Sequence, residues 1–285
     1  MQPRMQLRSC GRLLIGGLQL QMPRLACRSL LTLGVLVLSL PLAAFQAERR
    51  SQPVAPKKGD SKINPKDGLR YRWIPPGTYT YGCSTGDKQC FTDEYPQRKI
   101  TLTRGFWLGE TEVPQSAWAK VMPDVQDPSD FVGENLPVNE ATYYDASDYC
   151  AAVGGRLPTD AEWEYAARAG SAAPRYGDLD KIAWYVGNSN DTPHPVAQKQ
   201  PNAFGLYDML GNVIEWTNTY FTVQLSQENI DPKGPREAEY RTLRGGGWFD
   251  DPELVRASDK SWFEDGDTDY NVGFRCAMDQ PRPQE

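Results

Sequence analysis

The sequence predicts an α+β domain with few helices, short strands and much irregular structure. Two observations carry this. A helical apolar period with recognisable ends occurs only in short segments between residues 114 and 170, and 25 glycines and 23 prolines in 285 residues punctuate nearly everything else. Charged residues at 24% and aromatics at 11% describe an ordinary globular chain, and the length suffices for one substantial core. No tandem repeat and no second domain boundary is visible.

In chain order, Arg24 and Arg28 precede the apolar run Leu30 to Leu40, followed by Pro41-Leu42-Ala43-Ala44. A charged start, a short apolar stretch and small residues at a cleavage point read as a secretory signal over 1–44, with Met22 as an alternative start. The run is short for a bilayer span, so stable membrane insertion is not expected and the periplasm or the exterior is the expected location. Residues 45–66, rich in proline and lysine, read as a linker to a domain over 67–280. The first 44 residues hold five arginines and no acid. Removing those five from 31 basic residues leaves 26 against 37 acidic, a charge of −11 for the exported part. Such an acidic chain excludes nucleic acid as an expected partner.

Tyr71 to Pro75 and Lys99 to Leu102 alternate as half-buried strands do. Pro114 stands just inside a short helix through Met122. Thr142 to Val153 places Ala146, Tyr149, Cys150 and Val153 on one face, with Gly154 as a stop. Thr159-Asp160-Ala161-Glu162 is a capping box, after which Trp163, Ala166 and Ala167 face inward and Gly170 ends the helix. Beyond Gly170, loops and short strands are expected.

Cysteine and histidine counts narrow the chemistry. The one histidine, His194, lies between Pro193 and Pro195, which suits loop packing better than base catalysis; sites needing two imidazoles are excluded. Cys10 and Cys27 fall in the signal. The remaining Cys83, Cys90, Cys150 and Cys276 allow three pairings, and Cys83 and Cys90 flank the turn-forming Ser84-Thr85-Gly86-Asp87. The preferred reading is a small Cys83–Cys90 loop and a Cys150–Cys276 staple. Four-thiolate metal binding is the alternative, without a Cys-x-x-Cys knuckle to support it.

Seven segments then occur in order: Trp73-Ile74-Pro75-Pro76-Gly77-Thr78-Tyr79, Gly109 to Val113, Leu136-Pro137-Val138-Asn139, Gly155 to Arg168, Asn202 to Asn212, Arg244-Gly245-Gly246-Gly247-Trp248 and Gly273-Phe274-Arg275-Cys276. In this order they resemble the formylglycine-generating enzyme (sulfatase-modifying factor) family, from about Leu69 to Cys276. The resemblance implies a fold related to C-type lectins. It also implies an activity, oxidation of a client cysteine with copper and oxygen, which needs a pair of soft thiolates after the glycine turn. Here Asp250 stands where the first thiol would fall, and the stretch near Leu254 and Val255 holds no second. Ile214 replaces a family tryptophan. Copper is therefore not expected, and the lone histidine excludes the family branch with a histidine-bound iron.

The resemblance further implies one structural calcium, held by the Asp208 and Glu215 side chains and the Gly211 and Val213 carbonyls; oxygen donors around a glycine turn suit a hard cation. It places Trp248, Asp250, Asp251, Arg256, Trp262 and Asn271 around the groove that holds substrate in related enzymes. For Asp250, Asp251 and Arg256 a structural ion pair is an equal alternative, and Trp248 is expected to lie partly in the core. Two functions follow: modification of a peptide, protein or peptide-derived molecule without the copper pair (or a silent relative of such an enzyme), and a lectin-like module binding protein, peptide or glycan. Either is expected to work as a monomer.

Overall fold

A computed structural model describes residues 55–222 and 228–281; the segment read as a signal lies outside them. Strands β1 (Ser61–Ile63), β2 (Arg70–Ile74), β5 (Phe106–Gly109) and β10 (Ala277–Asp279) form an antiparallel sheet in the order β1-β2-β5-β10. Between β2 and β5, β3 (Gly77–Tyr81) and β4 (Arg98–Leu102) make a separate hairpin. A third sheet runs β8-β7-β6-β9, with β6 (Ile214–Tyr220), β7 (Arg241–Arg244), β8 (Lys260–Phe263) and β9 (Val272–Gly273); β6 and β9 are parallel.

Alternation along β2 and β5 explains where the core sits. Tyr71, Trp73 and Trp107 enter one apolar cluster, with Trp118, Tyr149, Trp216 and Phe274. Ile74, Phe106 and Leu108 enter the other, with Trp163, Leu206 and Met209. Successive side chains point to opposite faces of a strand, so this sheet is buried on both sides, and its strands are correspondingly apolar.

Helix α1 (Gln115–Val121) begins after Pro114, which is the N-cap rather than the first helical residue. In α2 (Tyr143–Ala152) the Thr142 hydroxyl accepts from the Asp145 N–H while the Asp145 carboxylate accepts from that of Thr142, a capping box. Helix α3 (Asp160–Arg168) has the predicted box between Thr159 and Glu162 and ends on Ala169 in the left-handed region, followed by Gly170 at φ 96°. Two features depart from the sequence reading. β1, paired with β2, lies inside the stretch 45–66 read as linker, because Ser61 to Ile63 finds an open sheet edge that composition does not reveal. A single-turn helix α4 (Leu179–Ile182), capped by Asp178, follows Gly170. It is too short to show a period.

The structure pairs Cys83 with Cys90 and Cys150 with Cys276. The second bond ties α2 to the residue preceding β10. Among the described residues no helix is long and apolar enough to cross a membrane.

Candidate functional site

Three loops and the entry to β9 meet above β6. The Trp248 N–H donates to the Asn212 carbonyl at 2.7 Å, and the Ile214 N–H to the Asn271 carbonyl at 2.7 Å. The Val186 N–H donates to the Asp250 carbonyl at 3.1 Å, and Val196 to Asn135 at 3.0 Å. These bonds fix the backbone, and aromatic side chains fill the face it frames. Trp248, 3% exposed, is ringed by Phe131, Phe249 and Tyr270 at centroid distances of 5.4, 5.6 and 5.4 Å. Around this buried indole, Phe249, Tyr270, Val132 and Val186 are exposed. Exposed apolar side chains grouped around a buried aromatic floor make this face a candidate interaction surface.

Asp250, Asp251 and Asp269 edge this face with negative charge. One Asp250 oxygen accepts from the Gly247 N–H at 2.7 Å, closing the turn. Burial pushes the Asp250 carboxyl up from the ordinary range; the Gly247 N–H opposes this, and Asp269 and Asp251 reinforce it. Asp269 Oδ1 and the Trp248 indole N–H are buried without a hydrogen-bond partner.

The six expected groove residues do not form one site. Trp248, Asp250 and Asn271 converge, Asn271 packing against Gly247, and Asp251 is exposed on the same turn. Trp262 is instead stacked on Phe221 at 4.4 Å. Arg256, for which a groove role and a structural ion pair were equal expectations, takes the second: it is fully buried. Its guanidinium holds Glu94 at 2.7 Å, Asp87 at 3.2 Å and Asp259 at 3.3 Å. A guanidinium with five donors finds carboxylates to saturate it inside the fold, and sequence proximity to Asp250 gave no hint of them. Phe131, Phe249 and Tyr270 were not anticipated either. Their signal was available: aromatic residues in polar, turn-rich segments, where no periodic pattern calls for them.

Beneath the face lies a buried acidic cluster. Glu215 binds Arg275 through both oxygens at 2.6 to 2.8 Å and also accepts from the Trp163 indole at 2.7 Å. Glu112, fully buried, accepts from the Val213 N–H at 2.9 Å and the Asn212 amide at 2.6 Å. Asp208 accepts from the Ala197 N–H at 2.7 Å through one oxygen, while the other has no partner. Burial pushes Asp208 up to about 6, and pushes Glu112 well above its ordinary value with Asp208 and Glu215 adding to it. Of these three carboxylates, only Glu215 is bonded to a guanidinium.

Residues 58–280 match the sulfatase-modifying factor enzyme 1-like domain. The chain belongs to this family. It is 33% identical over 178 residues to the formylglycine-generating enzyme of Mus musculus, covering 55% of this chain and 48% of that protein. It is 40% identical over 147 residues to the serine/threonine-protein kinase pkn1 of Chlamydia pneumoniae, half of this chain but 24% of that one. The chain therefore spans only about a quarter to a half of these relatives. Its fold is similar to that of PvdO from Pseudomonas aeruginosa, with a TM-score of 0.72, 25% identity, and coverage of 79% of this chain and 100% of that one.

Within the family frame the two implied metals fare differently. All four cysteines of the described residues are in disulfides, and Asp250, at the expected thiol position, closes its own turn. A copper-thiolate site does not fit. At the calcium position that the resemblance implies, one Asp208 oxygen is buried without a hydrogen-bond partner, and among the described residues no group of three or more His, Cys, Asp or Glu side chains is arranged to hold a metal ion. Glu215, the other expected ligand, is engaged by Arg275, so it reaches a cation there only by sharing its oxygens.

Proposed function

We propose that this chain is an exported recognition member of the sulfatase-modifying factor family. Its aromatic face captures a peptide or peptide-derived molecule carrying a cationic group, and it does not carry out copper-dependent cysteine oxidation. The exposed ring of Phe249, Tyr270, Val132 and Val186 over buried Trp248, edged by Asp250, Asp251 and Asp269, is the observation that carries this reading. Aromatic faces and nearby carboxylates both attract a desolvated cation. The arginine-flanked apolar run near the start and the two disulfides support export.

We also propose one structural calcium, with Asp208 and the Gly211 and Val213 carbonyls as the donors, beside Glu215. When bound it would supply positive charge that fixes the 208–215 turn beneath the face. A modifying enzyme is the second reading, favoured by the half-buried Asp250 carboxyl, raised from its ordinary range by burial, which would stand beside a bound substrate as an acid–base group.

Selection of a displayed random-peptide library, followed by mass spectrometry of the captured peptide, tests both. Release unchanged, with at least tenfold weaker capture by the Phe249→Ser and Tyr270→Ser variants, supports recognition. A mass change in the released peptide establishes modification. Aldehyde formation on a sulfatase-type cysteine peptide with copper and oxygen would overturn the argument from the paired cysteines.

A further inference from the structure

A second opening lies between the β3–β4 hairpin, the Cys83–Cys90 loop and the end of α3, with a cavity volume of about 420 Å³. Its size lies within the range of small-molecule sites. Three rings wall one side: Tyr79 and Tyr165 at a centroid distance of 5.3 Å, and Tyr165 and Phe204 at 5.7 Å. Hydroxyl and amide side chains, Thr78, Thr80, Thr85 and Gln97, make the exposed rim. Although the whole chain has 37 acidic residues, none lines this opening among the described residues.

Two cations are present, and they differ. Arg168 is buried and neutralised by Glu164 at 2.8 Å. Lys58 is exposed, its ammonium 5.2 Å above the Phe204 ring, and among the described residues it has no carboxylate partner. The opening thus offers ring faces, neutral hydrogen-bonding groups and one net positive charge at the mouth.

We propose that this opening is a binding site for an acidic saccharide, one carrying a carboxylate such as a hexuronate. A sugar ring presents an apolar C–H face to aromatic side chains and hydroxyls at its edge to the threonine and glutamine rim. One ammonium complements one carboxylate; a polyphosphate would need more cations, and a cationic ligand would meet no acid. Neither the family nor the peptide-capturing face requires this site, and it fails or stands separately from that face.

Titration calorimetry with methyl galacturonoside, which carries one carboxylate, against methyl galactoside as the neutral control, is the test. The expected result is at least tenfold tighter binding of the galacturonoside. Lys58→Glu and Thr85→Asp, both exposed positions, should each weaken it at least fivefold with an unchanged melting temperature and unchanged capture of selected peptides. Absence of galacturonoside binding, equal binding of the neutral sugar, or wild-type binding by both variants would overturn the proposal.

Discussion

Two buried arginines stand at the centre of this fold, each with three carboxylates near it and each close to a disulfide. Arg256 touches Glu94, Asp87 and Asp259 directly, and its Nη1 lies 3.6 Å from Cys90 Sγ. Arg275, beside Cys276 in the chain, bonds only one of its three carboxylates, Glu215, and otherwise backbone carbonyls; the Glu112 and Asp208 carboxylates are left to neutral donors. The first centre is closed: the arginine reaches every acid, and the 83–90 loop seals it. The second has an open Asp208 oxygen. The same residue types therefore serve as internal glue in one place and in the other leave a buried carboxylate oxygen without a partner, the proposed cation donor. What separates them is whether each acid reaches the guanidinium, because a buried carboxylate without a charged partner is costly.

The largest difference between the centres should come from their disulfides. The chain-entropy relation makes a bond stabilise more as its loop lengthens, giving about 5 kcal/mol for the Cys150–Cys276 separation of 126 residues and about 2.5 kcal/mol for the separation of 7 between Cys83 and Cys90. The paired serine variants, compared by urea denaturation, should rank in that order. A larger loss on removing the short loop would mean that it contributes mainly by holding Asp87 and Gln89 on Arg256.

A pH test next asks how fully the Arg256 centre is closed, because Asp259 is pushed up despite its contact with the guanidinium. Burial pushes Asp259 up to about 7; Arg256 opposes this, Glu94 reinforces it, Arg244 opposes and Asp93 reinforces. The folded value exceeds the unfolded one, so the contribution is fully present below about pH 4 and is lost as pH rises through 7. The difference corresponds to at most about 4 kcal/mol. Wild-type stability should therefore fall relative to Asp259→Asn between about pH 4.5 and 8. Parallel profiles for the two proteins would show that Arg256 holds Asp259 ionised throughout.

Calcium should act on the Arg275 centre alone. A ligand that binds only the folded state stabilises by about 2.7 kcal/mol at a hundredfold excess over Kd, which for a domain of this size raises the melting temperature by about 5–10 °C. Chelation should remove that increment from the wild type and leave Asp208→Asn unaffected. An unchanged melting temperature with calcium or chelator would make Asp208 a second internal carboxylate, ending the contrast with the Arg256 centre.

How legible these features were in the sequence depends on how local they are. The α3 capping box and the strand alternation at Tyr71 to Ile74 are set by residues within a few positions of one another, and they could be read directly. The segment order carried the family because it spans the whole domain. For Arg256 the groove and the structural ion pair stayed equal in the sequence because its partners Asp87 and Glu94 are more than 160 residues away, beyond any local pattern. Trp262 was grouped with Trp248 by the family resemblance, although it stacks on Phe221. Glu112 lies within a quoted segment, yet its part in the acidic cluster depends on a fold that brings it to residue 213.

The smallest expected effect belongs to the aromatic face, and it decides whether that face is a third internal centre. Asp250 differs from the arginine-bound acids: its hydrogen bond goes to a backbone N–H three residues away, which the amide oxygen of asparagine can also accept. Asp250→Asn should then change stability by less than about 0.5 kcal/mol, as neutral surface substitutions do. Asp250→Ala, which leaves the Gly247 N–H without its partner, should cost about 1–3 kcal/mol. Were Asp250 an ion-paired structural acid like Glu94, the asparagine variant would be nearly as damaging as the alanine one. With folding intact, Asp250→Asn also divides the two functional readings. Loss of the charge should weaken capture of a cationic peptide severalfold if the face recognises its ligand. It should abolish product while leaving capture largely in place if the Asp250 carboxyl takes part in chemistry. Peptide capture and product mass measured on the same variant distinguish these outcomes, and no change in either would remove Asp250 from the site.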